Sequence, residues 1–174
     1  MTPRLEPIVG RYIHMEVNGR PHRLYYEEAG EGIPLLCLHT AGADARQFRA
    51  VLNDPEVLAR YRVVAFDMPW HGKSSPPDGW QDEDYQLTTE AYTGMIGDVI
   101  GALGLDRPVV MGCSIGGRIV LHLAIDHPER YRALVGLQSA ASVEKYYDPQ
   151  WLNHPEVHGG ESCGAIAYGL CSPK

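Results

Sequence analysis

The run Pro108-Val109-Val110-Met111-Gly112-Cys113-Ser114-Ile115-Gly116-Gly117 constrains this chain more than any other stretch. It opens as a short apolar strand. From Ile115 onward, Ile119, Val120, Leu123 and Ala124 recur at helical spacing, so a helix over 115–126 follows at once. Very little chain is left in which to turn from one into the other. Gly112 and Gly116 stand two residues before and two after Ser114, where strand and helix crowd together and a side chain would collide. The pattern predicts a serine held on a sharp, strained turn at the N-terminus of a helix. Free backbone N–H groups and the positive end of the helix dipole then face any negative charge that develops beside it.

The rest of the chain supplies a frame for that turn. Residues 11–29 read as a hairpin: Tyr12, His14, Glu16, Arg23, Tyr25 and Glu27 alternate with Ile13, Met15, Val17, Leu24 and Tyr26 around Asn18-Gly19. Residues 33–38 are a continuous apolar run, as a strand buried on both faces would be, and 62–66, 108–111 and 133–137 read as further buried strands. Between them lie an expected helix over 44–60, capped by Asp44 with Phe48, Val51 and Leu52 inward, and another from Thr88 or Thr89 to Gly104. Its apolar positions are Met95, Ile96, Val99, Ile100 and Leu103, and Pro128 ends the helix after Ser114. Strands alternating with helices predict an α/β fold, a doubly wound, mostly parallel sheet with an N-terminal antiparallel hairpin. Residues 1–138 form the expected core. From Ser139 the periodicity fades, and 139–174 read as the start of a cap.

Composition narrows the partners. A chain of 174 residues that is 44% hydrophobic and 21% charged is ordinary for one soluble domain. Its net charge of −7 and the lack of a basic patch exclude a nucleic-acid role and disfavour an anionic membrane surface. No stretch is long and apolar enough to span a bilayer, and the start Met1-Thr2-Pro3-Arg4 lacks an apolar signal region. Cys37 and Cys113 read as small buried residues, and Cys163 and Cys171 form no evident disulfide framework, so a cytoplasmic location is expected. His122 and His127 read as bland helix residues. His154 and His158 have ligand spacing, but Pro155 and Gly159-Gly160 oppose a helix there, and no metal is expected. No dinucleotide fingerprint follows a strand.

Three motifs point one way. Gly112-Cys113-Ser114-Ile115-Gly116 fits the G-x-S-x-G nucleophile elbow. His39-Thr40-Ala41-Gly42 follows a buried strand, as does Asp67-Met68-Pro69-Trp70-His71-Gly72-Lys73-Ser74. In this order they resemble the first two-thirds of a cap-bearing serine hydrolase of the α/β-hydrolase superfamily, over about residues 10–140. Thr40 and Trp70 stand where that superfamily usually has glycine.

The resemblance implies Ser114 as nucleophile. It implies the N–H groups of Ile115 and Ala41 as the oxyanion hole, with Thr40 in Ala41's place if the turn differs. Losing one such donor costs about 100- to 1000-fold in rate. His39, Trp70 and His71 are expected near the pocket, with His39, His71 and Asp67 mainly shaping loops and Cys113 pointing away. The implied activity is hydrolysis of an ester, thioester or related acyl bond of a small molecule, without a cofactor. Carbon–carbon bond hydrolases of ring-cleavage products resemble the pattern too, and a non-catalytic or incomplete protein on the same fold is the alternative. In the superfamily the catalytic acid and then the histidine follow the serine. Neither can be assigned before Lys174, so this chain alone is expected to be truncated and impaired. Its last strand is expected to leave a sheet edge open to self-association.

Overall fold

A computed structural model describes residues 3–83 and 87–139. The chain divides after Ser139. The expected cap over 139–174, Cys163, Cys171, His154 and His158 therefore fall beyond or, for Ser139 alone, at the limit of the described residues.

Six strands form one sheet: β1 (Val9–Val17), β2 (Arg20–Ala29), β3 (Ile33–Leu38), β4 (Tyr61–Phe66), β5 (Val109–Cys113) and β6 (Ala133–Leu137). Their spatial order is β1-β2-β4-β3-β5-β6. The first three in that order pair antiparallel, while β4, β3, β5 and β6 run parallel. The hairpin turn is as the sequence predicts: Asn18 at φ 51° and Gly19 at φ 75° supply the two left-handed residues of a tight turn. Asn18 also ties the turn to a helix, α3 (Thr89–Ala102). Its N–H donates to Asp98 Oδ2 at 2.8 Å and its Nδ2 to the Ala91 carbonyl at 2.9 Å.

Each face of the sheet has its own core. On one face Leu36, Leu38, Val64, Phe66 and Val110 pack with Ile96 and Val99 of α3 and with Ile119, Val120 and Leu123 of α4 (Ile115–Asp126). On the other, Leu35, Cys37, Val63 and Ala65 meet Ala45, Phe48 and Leu52. Burying each such aliphatic side chain contributes roughly 1.5–3 kcal/mol. Strands sandwiched this way have no polar face, which is why their sequences run apolar without alternation.

Four local expectations need correction. The helix over 44–60 is three short pieces: a 3₁₀ turn (Ala45–Phe48), α1 (Arg49–Asn53) and α2 (Pro55–Leu58). Asp54 breaks it, held extended at ψ 114° by the proline that follows. Ala124 is exposed on α4. Strand β6 is largely exposed, including Leu137, because it is the edge of the sheet among the described residues. Finally, Tyr25 and Glu27 of β2 are buried like their apolar neighbours, since the loop after β4 and the 3₁₀ turn roof that face of the strand.

Candidate active site

Strand β3 lies between β4 and β5, so the chain leaves β3 to one side and later returns to the other. This is the switch point of the sheet, where the C-terminal strand ends open a crevice. The three motif loops follow β3, β4 and β5 and therefore sit side by side there.

Ser114 occupies the turn between β5 and α4 at φ 55°, ψ −113°, a strained conformation for a residue with a side chain. The glycines show why it is tolerated. A Cβ on Gly112 would strike the Gly116 carbonyl, and one on Gly116 would strike the Leu38 carbonyl of β3. A third glycine is needed as well: a Cβ on Gly117 would come within 2.7 Å of the Leu137 carbonyl oxygen. The turn is locked from both sides. Ser114 N–H donates to the Leu137 carbonyl at 2.9 Å, and Arg118 N–H donates to the Ser114 carbonyl at 2.7 Å. The Ser114 side chain makes no capping bond to its own helix. Cys113 is half-buried and its Sγ donates to Gln138 Oε1 at 3.5 Å.

His39 organises the β3 loop. It is 1% exposed, and its Nε2 accepts from Met68 N–H at 3.1 Å. The other nitrogen, Nδ1, therefore carries the proton and donates to the Thr40 carbonyl at 2.8 Å. Burial holds its pKa below the usual histidine range, only partly opposed by the Thr40 carbonyl. A neutral imidazole thus pins the β3 loop to the β4 loop. His71 packs beside it, ring centroids 5.0 Å apart, with its Nδ1 2.9 Å from the Pro69 carbonyl oxygen.

The Thr40 N–H is already engaged, donating to Gln47 Oε1 at 2.8 Å. Among the described residues the N–H groups of Ala41 and Ile115 donate to no partner. Gln47 is a residue that motif reading passes over. Its one signal was its place three residues after the cap Asp44, where a glutamine normally reaches back to the cap itself.

Asp67 shapes its turn. At 2% exposure, its carboxylate accepts Ala45 N–H at 2.8 Å and Lys73 N–H at 2.7 Å. Ser74 Oγ donates to the Asp67 carbonyl at 2.6 Å and accepts Tyr25 N–H at 2.8 Å. Trp70 takes up a left-handed φ of 64°, the conformation for which glycine would be the ordinary choice, and the residue is 41% exposed. It lines a cleft of about 140 Å³ with Met68, Val17, His22 and Leu87. A second cleft, about 230 Å³, lies beside the elbow between Ile115, Arg118, His122, Thr88 and Tyr92. His122 is thus half-buried at a cleft and not a bland surface residue. Among the described residues, no hydrogen bond joins the Ser114 hydroxyl to a histidine, and no group of acids, histidines and cysteines is placed to hold a metal.

The family model for the alpha/beta hydrolase fold matches residues 33–160. The chain belongs to that family. It is 33% identical over 139 residues to 2-hydroxy-6-oxo-6-(2'-aminophenyl)hexa-2,4-dienoic acid hydrolase of Metapseudomonas resinovorans, covering 79% of this chain and 46% of that protein. It is 33% identical over 160 residues to 2-hydroxymuconate semialdehyde hydrolase of Pseudomonas sp. (strain CF600), covering 88% and 53%. Among solved structures, a Vigna radiata epoxide hydrolase mutant superposes with a TM-score of 0.61 at 27% identity, covering 74% of this chain and 38% of that one. The chain spans about half the length of the curated relatives it matches. No helix among the described residues is long and apolar enough to cross a membrane.

Proposed function

We propose that this chain carries the nucleophile and oxyanion half of a serine hydrolase acting on an ester, thioester or related acyl bond of a small molecule. The observation that carries the reading is Ser114 itself. It sits strained at the start of α4, yet its hydroxyl performs no capping duty. A serine kept only to cap a helix would bond to an N–H two or three residues on.

In the reaction, Ser114 Oγ forms a bond to the carbonyl carbon, and the carbonyl π electrons move onto oxygen. The N–H groups of Ile115 and Ala41 receive that oxyanion. Engagement of Thr40 N–H by Gln47 favours Ala41 over Thr40 as the second donor. Collapse of the tetrahedral intermediate expels the leaving group, and water then releases the acid from the acyl-enzyme. A base must take the serine proton. We assign that role to a histidine, oriented by an acid, outside the described residues, and expect low activity wherever they are absent. Trp70 lines the cleft it shares with Met68 and Leu87, and His71 packs on His39. Free thiols at Cys37 and Cys113 fit a reducing, cytoplasmic setting.

A second reading has support from the two relatives, a hydrolase of a dienoic acid and a hydrolase of 2-hydroxymuconate semialdehyde. In it the bond broken is carbon–carbon and the substrate a ring-cleavage product. The test is a fluorophosphonate probe on the full chain. Covalent labelling that disappears in Ser114→Ala supports the reading. A folded sample that never labels rejects it in favour of a non-catalytic role. Among the described residues β6 is the sheet edge, and its exposed Val135 and Leu137 further suggest self-association, which sedimentation of the wild type against Val135→Lys would reveal or refute.

A further inference from the structure

The cleft that Trp70 shares, of about 140 Å³, is lined mainly by apolar side chains, among them Met68, Pro77, Leu87 and Met95. An apolar cavity of about 150 Å³ is enough to hold benzene, so the space suits one six-membered ring. The lining favours an aromatic one. An indole packs well against another aromatic ring, and so do thioethers such as those of Met68 and Met95.

A polar group in the lining is unspent. His22 is only 9% exposed, yet it lines the cleft. Its Nδ1 lies 2.9 Å from the Arg20 carbonyl oxygen, which can only accept, so Nδ1 carries the proton. That leaves Nε2 of the neutral ring as an acceptor. Nε2 makes no hydrogen bond among the described residues, and it is not one of the polar atoms there that are sealed from solvent. An acceptor this enclosed gains by meeting a donor. Arg20, the charged residue of the lining, is already paired. Its Nη1 donates to Glu83 Oε2 at 2.7 Å, and its Nη2 to Glu83 Oε1 and the Asp78 carbonyl, both at 3.0 Å. The lining therefore calls for a neutral ligand with one donor.

We propose that this cleft binds a neutral single-ring phenol, its ring among Trp70, Met68 and Met95 and its hydroxyl donating to His22 Nε2. The site does not rest on the reading of Ser114. The test titrates the full chain by calorimetry with phenol and with anisole, in which a methyl group replaces the hydroxyl proton. Phenol should saturate one site and bind about 5-fold or more tighter than anisole, the effect of one hydrogen bond to an enclosed group. His22→Phe keeps a ring and removes the acceptor, so it should bring phenol down to the affinity of anisole and leave anisole as it is. Trp70→Gly, at an exposed position whose left-handed φ suits glycine, should weaken both ligands by about 5-fold or more. Ser114→Ala should change neither. No saturation by phenol up to about 10 mM would overturn the proposal, since a buried ring with one hydrogen bond holds more tightly than that. So would anisole binding as tightly as phenol, a comparison that needs no variant and stands if His22→Phe does not fold. Phenol affinity unchanged in a folded His22→Phe or in Trp70→Gly, or lost in Ser114→Ala, would overturn it too.

Discussion

Replacing Asp67 by asparagine separates a loop-shaping acid from a catalytic one. The carboxylate is 2% exposed and accepts two backbone N–H groups, at 2.8 and 2.7 Å. An asparagine oxygen can keep one of them. Its NH₂ then faces the other N–H, donor against donor. Stranding a buried donor costs about 1–3 kcal/mol, and the surviving bond loses its charge assistance, about another 1 kcal/mol. Asp67→Asn should therefore destabilise by about 2–4 kcal/mol. With a urea m-value of about 1–3 kcal/mol/M, the midpoint falls by about 1–2 M. The assay is urea unfolding followed by circular dichroism, paired with the rate of fluorophosphonate labelling in buffer. A loop-shaping Asp67 predicts a large midpoint shift with labelling changed only a few-fold in the folded fraction. A catalytic acid predicts a loss of about 10⁴-fold in labelling. A destabilisation below about 0.5 kcal/mol, within the usual range for surface changes, would refute the hydrogen-bond accounting.

Gly116→Ala should abolish folding or cost at least about 3 kcal/mol, because the added carbon meets the Leu38 backbone and no flexible side chain; thermal melts of the variant decide it. His39 is held neutral by burial, so its folded pKa lies below the unfolded value of about 6.5. The unfolded chain then binds the extra proton first, and stability present above pH 6.5 should fall as pH drops below it. The urea midpoint of wild type measured against pH should show that slope, and His39→Gln should flatten it. Gln47→Ala should slow Ser114 labelling by about 10-fold, by freeing Thr40 N–H and unsettling Ala41, while the exposed position leaves the melting temperature nearly unchanged. Burial pushes the Cys37 thiol up to about 12, so peptide mapping after iodoacetamide at pH 8 should find Cys37 unmodified until the protein is unfolded.

The strands and the elbow were legible because their causes are local. Apolar runs such as residues 33–38 mark strands covered on both faces, and Gly112 is demanded by the Gly116 backbone four residues on, while Gly116, demanded by the distant Leu38 carbonyl, was legible only through its fixed spacing from Ser114. What stayed hidden depends on long-range neighbours. The polar-looking Glu27 is buried because a loop some forty residues later folds over it, and no alternation pattern reports that. The apolar run of β6 reads as buried, but exposure is set by what lies beside a strand and not by the strand. Gln47 looks like a helix-start residue and bonds instead to Thr40. The break at Asp54-Pro55 was legible in principle, since a proline restrains the residue before it.

The Asn18 clamp bears on how the chain is made. The β1–β2 hairpin is a local structure, able to close within microseconds. Its turn is held by Asp98 and Ala91, 80 and 73 residues further along. A ribosome adding about 5–20 residues per second delivers those partners some 4–16 s after the turn has emerged. During that interval Leu24 and Tyr26 have only the part of their core supplied by residues such as Leu36, Val64 and Phe66, and lack the part supplied by α3. The nascent hairpin thus waits for its anchor until α3 has been made.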